Sequence, residues 1–333
     1  MRLIAISAGR RLDSGVWSDE WIAALDALGP LTFVDDDGTL TEDDVAVLYR
    51  AHDVAIVGWT ERTIPESLAT DPGALRYVCC YSGSIRGAVP RALVTSGITV
   101  SNWGDLPAAG VAEGAMTLLL ASAHQLPLAF SSQRSGTWGF DRTLGTGLEG
   151  LAVGVYGCGV VGMRFIEMLR PFGARVRVFD PYVVELPSGV ERADTLDDLC
   201  AWSEALVIHA GLSDETERSV GAPQLARLRD GAIVVNTARG GIVDQDALID
   251  ELVAGRLRAG LDVLEPDLVL AADHPLRRLD NVILTFHQVT GGSWPPRPGL
   301  RPMQQRVIEQ IERFARGETP RWTFDEERYD RST

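Results

Sequence analysis

Residues 151 to 162 read Leu-Ala-Val-Gly-Val-Tyr-Gly-Cys-Gly-Val-Val-Gly, placing Gly157, Gly159 and Gly162 in the spacing G-x-G-x-x-G. An apolar run precedes them, and Phe165, Ile166, Leu169 and Phe172 follow at helical spacing over 163–172. A glycine triplet alone is a weak signal; set between a strand and a helix it is a phosphate cradle. Gly157 permits the tight turn, Gly159 lets the backbone approach a pyrophosphate, and Gly162 lets helix and strand pack closely. The helix start offers free N–H groups and the positive end of its dipole to an anion. A second strand, expected at 176–179, leads into Asp180, 18 residues beyond Gly162. A carboxylate there accepts hydrogen bonds from an adenosine ribose. Pro181 and Tyr182 come next, with no arginine to meet a 2′-phosphate, so the expected cofactor is NAD and not NADP.

The elements that must position this loop alternate along the chain. Apolar runs at 3–7, 31–34, 54–57, 77–81 and 99–100 read as strands with amphipathic helices between them. A long Ala- and Leu-rich helix is expected over 110–126, then a polar, Gly-rich stretch over 131–150. A second series of strands is expected at 152–156, 176–179, 205–209, 232–236, 261–263 and 282–285. Strands alternating with helices imply βαβ units and parallel sheets. The expected fold class is therefore α/β, with two doubly wound parallel-sheet domains. The tail beyond Arg316 is polar and reads as strand or coil.

Composition narrows the function. The 333 residues carry a net charge of −15 and no lysine. An acidic surface repels phosphate backbones and anionic lipid, so neither a nucleic-acid nor a membrane partner is expected. Absence of lysine excludes Schiff-base chemistry and a phosphate-loop lysine. The four cysteines, Cys79, Cys80, Cys158 and Cys200, form no metal-ligand spacing, so no metal site or disulfide framework is expected. No apolar run approaches the length of a membrane span, and the first residues are too short an apolar run for a secretory signal. The expected location is cytoplasmic.

Several separated motifs agree with one family. They are Gly110-Val111-Ala112-Glu113, the glycine loop, Phe179-Asp180-Pro181-Tyr182, the run 236–244 (Asn-Thr-Ala-Arg-Gly-Gly-Ile-Val-Asp), Gly260-Leu261-Asp262-Val263, and the run 281–287 ending in Phe286-His287. In order and spacing the chain resembles the D-isomer-specific 2-hydroxyacid dehydrogenases, from about residue 77 to 317. The resemblance implies a Rossmann NAD-binding domain at 102–288, inserted in a flavodoxin-like substrate domain made of 1–101 plus 289–333. It also implies a homodimer, for which the helix at 110–126 is apolar enough to serve.

The resemblance assigns roles. Hydride transfer to a 2-keto acid requires the carboxylate to be held, the carbonyl polarised and a proton delivered. Arg239 follows the strand 232–236 at the sheet's carboxyl edge, and a planar guanidinium suits a carboxylate with its neighbouring carbonyl oxygen. His287 follows the strand 282–285 in the family's acid/base position, and imidazole serves as acid in reduction and base in oxidation. The supporting carboxylate, usually glutamate, falls at Asp267, with Glu265 as the alternative. Val160, Val161, His209, Ala210, Gly211, Thr216, Thr237, Ala238 and Asp262 match further cofactor positions, Asp262 facing the carboxamide; Arg239 and His287 also border the nicotinamide. Ser82, Gly83, Ser84 and Ile85 match the turn whose amides hold the substrate carboxylate. Arg86 either meets a second anionic group or pairs with an acidic neighbour. Trp103 and Trp138 line the cleft or pack in the core. Phe286 stands where the family has proline, Gly211 likewise, and the Pro-rich run 295–298 interrupts an expected helix. These departures suggest a substrate with an additional anionic group for Arg86, Arg297 or Arg301. The expected activity is interconversion of a small 2-keto acid and its D-2-hydroxy acid. Two readings compete with it: an NAD-binding regulatory protein with little turnover, and hydride transfer from a small anion such as formate or phosphite.

Overall fold

The computed structural model describes residues 1–8, 16–58, 61–137, 145–266, 270–289 and 299–332. The chain divides into two compact units, Met1–Leu106 with Pro296–Thr333, and Pro107–Pro295. In the first unit, strands β1 (Leu3–Ser7), β2 (Leu31–Asp35), β3 (Val54–Val57), β4 (Tyr77–Cys80) and β5 (Thr99–Ser101) form a parallel sheet in the order β2-β1-β3-β4-β5. β1, β3 and β4 are buried along their whole length. They are therefore continuous apolar runs and not alternating ones, as a sheet covered on both faces requires. Helices α1 (Asp19–Asp26), α2 (Glu42–Arg50) and α3 (Arg91–Thr95) accompany it. Ser18 caps α1, and Thr41 with Asp44 closes a capping box on α2, satisfying N–H groups that the first turn leaves unpaired.

The second unit opens with α4 (Ala108–Ala123). The sequence predicts one helix to residue 126; instead Gln125 adopts φ +51° and a new helix, α5 (Leu126–Arg134), runs into the stretch read as irregular. Arg258 explains the stop: its guanidinium donates to the carbonyls of Ser122 and Ala123 at the end of α4. Strands β6 (Ala152–Tyr156), β7 (Arg175–Phe179), β8 (Glu191–Arg192), β9 (Ala205–Ile208), β10 (Ile233–Asn236), β11 (Arg258–Leu261) and β12 (Val282–Leu284) form a parallel sheet in the order β12-β11-β10-β9-β6-β7-β8. The two-residue β8 carries no hydrophobic signal and escapes a sequence reading. β11 lies three residues earlier than expected, because the apolar run 261–263 marks the strand's exit and not its body. Helices α6 (Val160–Leu169), α7 (Leu196–Trp202), α8 (Ala222–Arg227) and α9 (Gln245–Val253) complete this unit. A Cβ on Gly260 would lie 2.8 Å from the Leu118 side chain, so that glycine is what seats α4 on β11.

The chain returns to the first unit with α10 (Pro302–Ala315) and α11 (Glu326–Arg331). The tail expected as strand or coil is thus helical at its end. Asp325 caps α11, and buried Tyr329 donates its hydroxyl to the Val89 carbonyl at 2.8 Å. Both units are α/β folds built on parallel sheets. Among the described residues no helix is long and apolar enough to cross a membrane, no group of three or more acidic, His or Cys side chains is placed to hold a metal ion, and all four cysteines are buried thiols.

Candidate active site

Strand order reverses between β6 and β9, and in such sheets ligands bind at the carboxyl ends beside that point. The glycine loop leaves β6 there. Gly157 has φ +91°, and a Cβ on it would stand 2.4 Å from the Ala210 nitrogen, so only glycine fits. A Cβ on Gly162 would stand 2.3 Å from the Gly157 carbonyl oxygen, which explains the third glycine. Around Gly159, at the start of α6, no atom lies within 4 Å of that direction, leaving open space at a helix N-terminus, flanked by exposed Val160 and half-buried Val161. The Asp180 carboxylate accepts from the Cys158 N–H at 2.7 Å and from the Tyr182 and Val183 N–H groups at 2.8 and 3.1 Å. Asp180 thereby ties the loop after β7 to the glycine loop, with Pro181 between its two anchor points. The fold also brings in a residue the sequence reading missed. Arg192, from β8, donates to the carbonyls of Asp180, Val183 and Val184. It sits 12 residues from Asp180 in sequence, and only the pairing of β7 with β8 reveals it.

The loop after β9 carries His209, Ala210, Gly211 and Thr216. His209 donates its N–H to the Tyr156 carbonyl, and its ring lies 5.1 Å from Phe165. Both ring nitrogens are buried without a hydrogen-bond partner, and burial pushes the imidazole down to about 3, so it is neutral. Thr216 donates its hydroxyl to the Gly211 carbonyl at 2.6 Å and braces the loop. The Tyr182 hydroxyl donates to Glu215 at 2.7 Å, joining this loop to the one after β7.

Beyond β10, Asn236 fixes the next turn, donating to the Arg239 carbonyl at 2.8 Å and accepting from the Ala238 N–H at 3.0 Å. Thr237 is buried and its hydroxyl has no partner. Arg239 is half-buried, and its guanidinium donates to the Ala238 carbonyl at 2.7 Å. A Cβ on Gly240 would collide with the Leu264 carbonyl, so the turn packs directly on the backbone after β11. Glu265 is exposed and is clasped by Gln245, which accepts from its N–H at 2.9 Å and donates to its carbonyl at 2.8 Å. Its carboxylate stands beside the Arg239 turn, 3.5 Å from where a Gly241 Cβ would be. Asp267 lies outside the described residues.

His287 is exposed and sits three residues beyond β12. Phe286 and His287 have φ +50° and +57°, a conformation costing a side-chain-bearing residue about 1–3 kcal/mol. Asp262, 4% exposed, compensates. Its Oδ1 accepts from the Thr285 hydroxyl at 2.6 Å and from the Gln288 and Val289 N–H groups, each at 2.9 Å, while its carbonyl accepts from the His287 N–H. The residue expected to face a carboxamide is thus also the hub of the histidine's turn.

In the first unit, Ser82, Gly83, Ser84 and Ile85 follow β4. The Ser82 hydroxyl donates to the Ser84 carbonyl at 2.7 Å, Asn102 donates to the Gly83 carbonyl at 2.7 Å, and Ile85 is fully buried as the turn's anchor. Trp103, 9% exposed, packs so close that a Gly83 Cβ would lie 2.9 Å from its indole nitrogen. Arg86 reaches the carbonyls of Tyr329 and Asp330, with its guanidinium 5.8 Å from the Tyr329 ring. The observed partner is the C-terminal helix backbone and not an acidic side chain. Arg301 starts α10, while Trp138 and Arg297 lie outside the described residues.

These residues fit a dinucleotide. The open helix start over Gly159, the carboxylate of Asp180 and the Thr237 hydroxyl lie along one sheet edge, and the buried Thr237 hydroxyl, which has no partner, calls for a polar ligand. Residues 116–288 match the family model described as D-isomer specific 2-hydroxyacid dehydrogenase, NAD binding domain. A D-3-phosphoglycerate dehydrogenase of Methanocaldococcus jannaschii is 37% identical over 232 residues, covering 68% of this chain and 43% of that one. A hydroxypyruvate reductase of Thermotoga maritima is 37% identical over 196 residues, 57% of this chain and 63% of that one. Among solved structures, an acyclic imino acid reductase in complex with NADPH and D-Arg superposes with a TM-score of 0.78 at 22% identity, covering 97% of this chain and 100% of that one. The chain belongs to the D-isomer specific 2-hydroxyacid dehydrogenase family, and its second unit is that family's NAD-binding domain. The match spans less than half the length of the first curated relatives.

Proposed function

We propose that the protein is an NAD(H)-dependent oxidoreductase that interconverts a small 2-keto acid and its D-2-hydroxy acid. One observation carries this reading: three adjacent strands, β10, β11 and β12, deliver Arg239, Asp262 and His287 to a single sheet edge beside the dinucleotide loop. Neighbouring strands lie about 4.8 Å apart. The strand ends that carry the guanidinium and the imidazole are therefore about 10 Å apart, close enough for both side chains to reach one small acid.

Arg239 holds the substrate carboxylate and polarises the adjacent carbonyl. His287 holds a proton on its imidazole, delivers it to the carbonyl oxygen in reduction and recovers it in oxidation. A dinucleotide held by its pyrophosphate at the glycine loop would supply or take up the hydride at C2 of the substrate. Gly157, Gly159 and Gly162 cradle the pyrophosphate with Val160 and Val161, Asp180 takes the adenosine ribose, and the segments Pro181, His209–Gly211, Thr216, Thr237 and Ala238 line the rest. NAD(H) is favoured over NADP(H) because Asp180 presents a carboxylate where a 2′-phosphate would stand, and Arg192 is already engaged by three carbonyls. The first unit serves as the substrate domain, with the amides of Ser82, Gly83, Ser84 and Ile85 as its own anion-binding turn. Asp267, or failing it Glu265, steadies the histidine. The working form is a cytoplasmic homodimer, for which the exposed Leu126 and Phe130 of α5 provide apolar surface.

The test is a panel of 2-keto acids, neutral and anionic in side chain, assayed by NADH and NADPH oxidation with chiral analysis of the product. A D-2-hydroxy acid formed faster with NADH is expected. Absence of turnover across the panel, with NADH still bound, overturns the proposal in favour of a non-catalytic NAD-binding protein.

A further inference from the structure

The turn that carries His287 departs from what its position would lead one to build. Residue 286 is proline in the family resemblance, and proline holds φ near −65°. Here Phe286 has φ +50° and His287 φ +57°, so a proline is sterically barred from this turn. Two consecutive left-handed residues with side chains persist only where surrounding contacts over-determine them.

Those contacts come from two sides. On the inner side, the Thr285 hydroxyl donates to Asp262 Oδ1 at 2.6 Å, the shortest of the three bonds that oxygen accepts. On the outer side, the Phe286 ring lies 5.4 Å from the Arg277 guanidinium. Arg277 is itself fixed by donating to the carbonyls of Ala271 and Leu270 at 2.9 and 2.8 Å. Thr285 precedes the two strained residues, and the Gln288 and Val289 N–H groups that follow them also end on Asp262 Oδ1. The strained pair is therefore gripped at both ends by one buried carboxylate.

We propose that Thr285 is a positioning residue for the acid/base histidine. Its hydroxyl locks Asp262 against the turn, so that the left-handed backbone at 286 and 287 presents the imidazole at the sheet edge, and the Arg277–Phe286 contact closes the turn from outside. This rests on the functional reading above for its catalytic consequence, but the clamp itself is measurable without turnover.

Thr285→Val keeps shape and removes the hydroxyl. The expected result is faster amide exchange across 286–289 in the cofactor-free protein and a kcat lower by about tenfold. NADH Kd and substrate KM stay within about twofold of wild type, and Thr285→Ser restores both exchange and kcat. Arg277→Gln, which leaves the Asp262 bonds intact, gives the same signs at smaller size and serves if the valine variant does not fold. Unchanged exchange in Thr285→Val, or accelerated exchange with wild-type kcat, overturns the proposal. A wild-type protein inactive on every keto acid defeats the functional reading instead, while the exchange measurement still decides whether the clamp exists.

Discussion

Two turns at the carboxyl edge of the same sheet solve the same backbone problem in opposite ways. The glycine loop needs a left-handed residue, and Gly157 supplies one without steric cost, with no side chain to meet Ala210. The turn after β12 needs two, and fills them with Phe286 and His287. The first turn works by absence: its task is to let a ligand's phosphates approach the backbone. The second works by presence, since in the proposed mechanism the side chain at its apex is the working group and glycine cannot replace it. Strain is accepted there and offset by a buried aspartate. A parallel contrast holds between two arginines. Arg239 stands half-buried at the sheet edge and is held within its own turn by the Ala238 carbonyl, whereas Arg86, next to the turn of Ser82 to Ile85, is engaged by the C-terminal helix.

The largest effect expected from breaking this contrast is on the chemistry. His287→Gln and Arg239→Ala should each lower kcat/KM by about 10²–10⁴-fold, with NADH affinity, measured by fluorescence titration, nearly unchanged. Equal loss of NADH binding would mean that these residues serve the cofactor and not the substrate. Next comes the exchange of turn strategies. Gly157→Ala should reduce NADH affinity by about 100-fold and lower unfolding free energy by about 1–3 kcal/mol, from the forced φ and the contact with Ala210. Phe286→Gly should change unfolding free energy by less than about 1 kcal/mol, because relief of strain is offset by added chain entropy. Comparable destabilisation by both would show that the second turn is not strained.

The sharpest prediction concerns pH. His209 is held neutral by burial, with its folded-state value lowered to about 3 from an ordinary 6.5. The unfolded chain therefore binds a proton at a pH where the native state does not, so stability rises with pH across that window. It is full above about pH 6.5 and falls as the pH drops toward 3. Chemical denaturation at a series of pH values should show His209→Phe flattening that acid limb by a few kcal/mol. An unchanged limb would place its origin in other groups.

Much of the second unit was legible because each of its signals is local. A strand, a glycine triplet and a helix are contiguous in sequence, and fully buried parallel strands read as uninterrupted apolar runs. The motifs carrying Arg239, Asp262 and His287 were legible through the family resemblance, and the strand ends on which they sit are where ligands bind in such sheets. What escaped was everything whose cause lies far along the chain. β8 pairs through two residues and has no apolar pattern. The break after α4 depends on Arg258, more than 130 residues away. The last helix is short and polar, stabilised by docking Tyr329 onto Val89, not by its own propensity. Arg192 and Arg86 show the same blindness for charge: a sequence lists cations but not the carbonyls that engage them.

The order of apolar runs, glycine spacings and turn residues by itself determined that the chain makes two parallel α/β sheets and carries a dinucleotide loop, because those outcomes follow from hydrophobic period and from the steric freedom of glycine. Only the tertiary structure decided that Asp262 grips the turn of His287, that Phe286 is left-handed and that Arg86 faces a helix. Those outcomes depend on which donors and acceptors meet once the chain has closed on itself, and no local rule of conformation encodes such meetings.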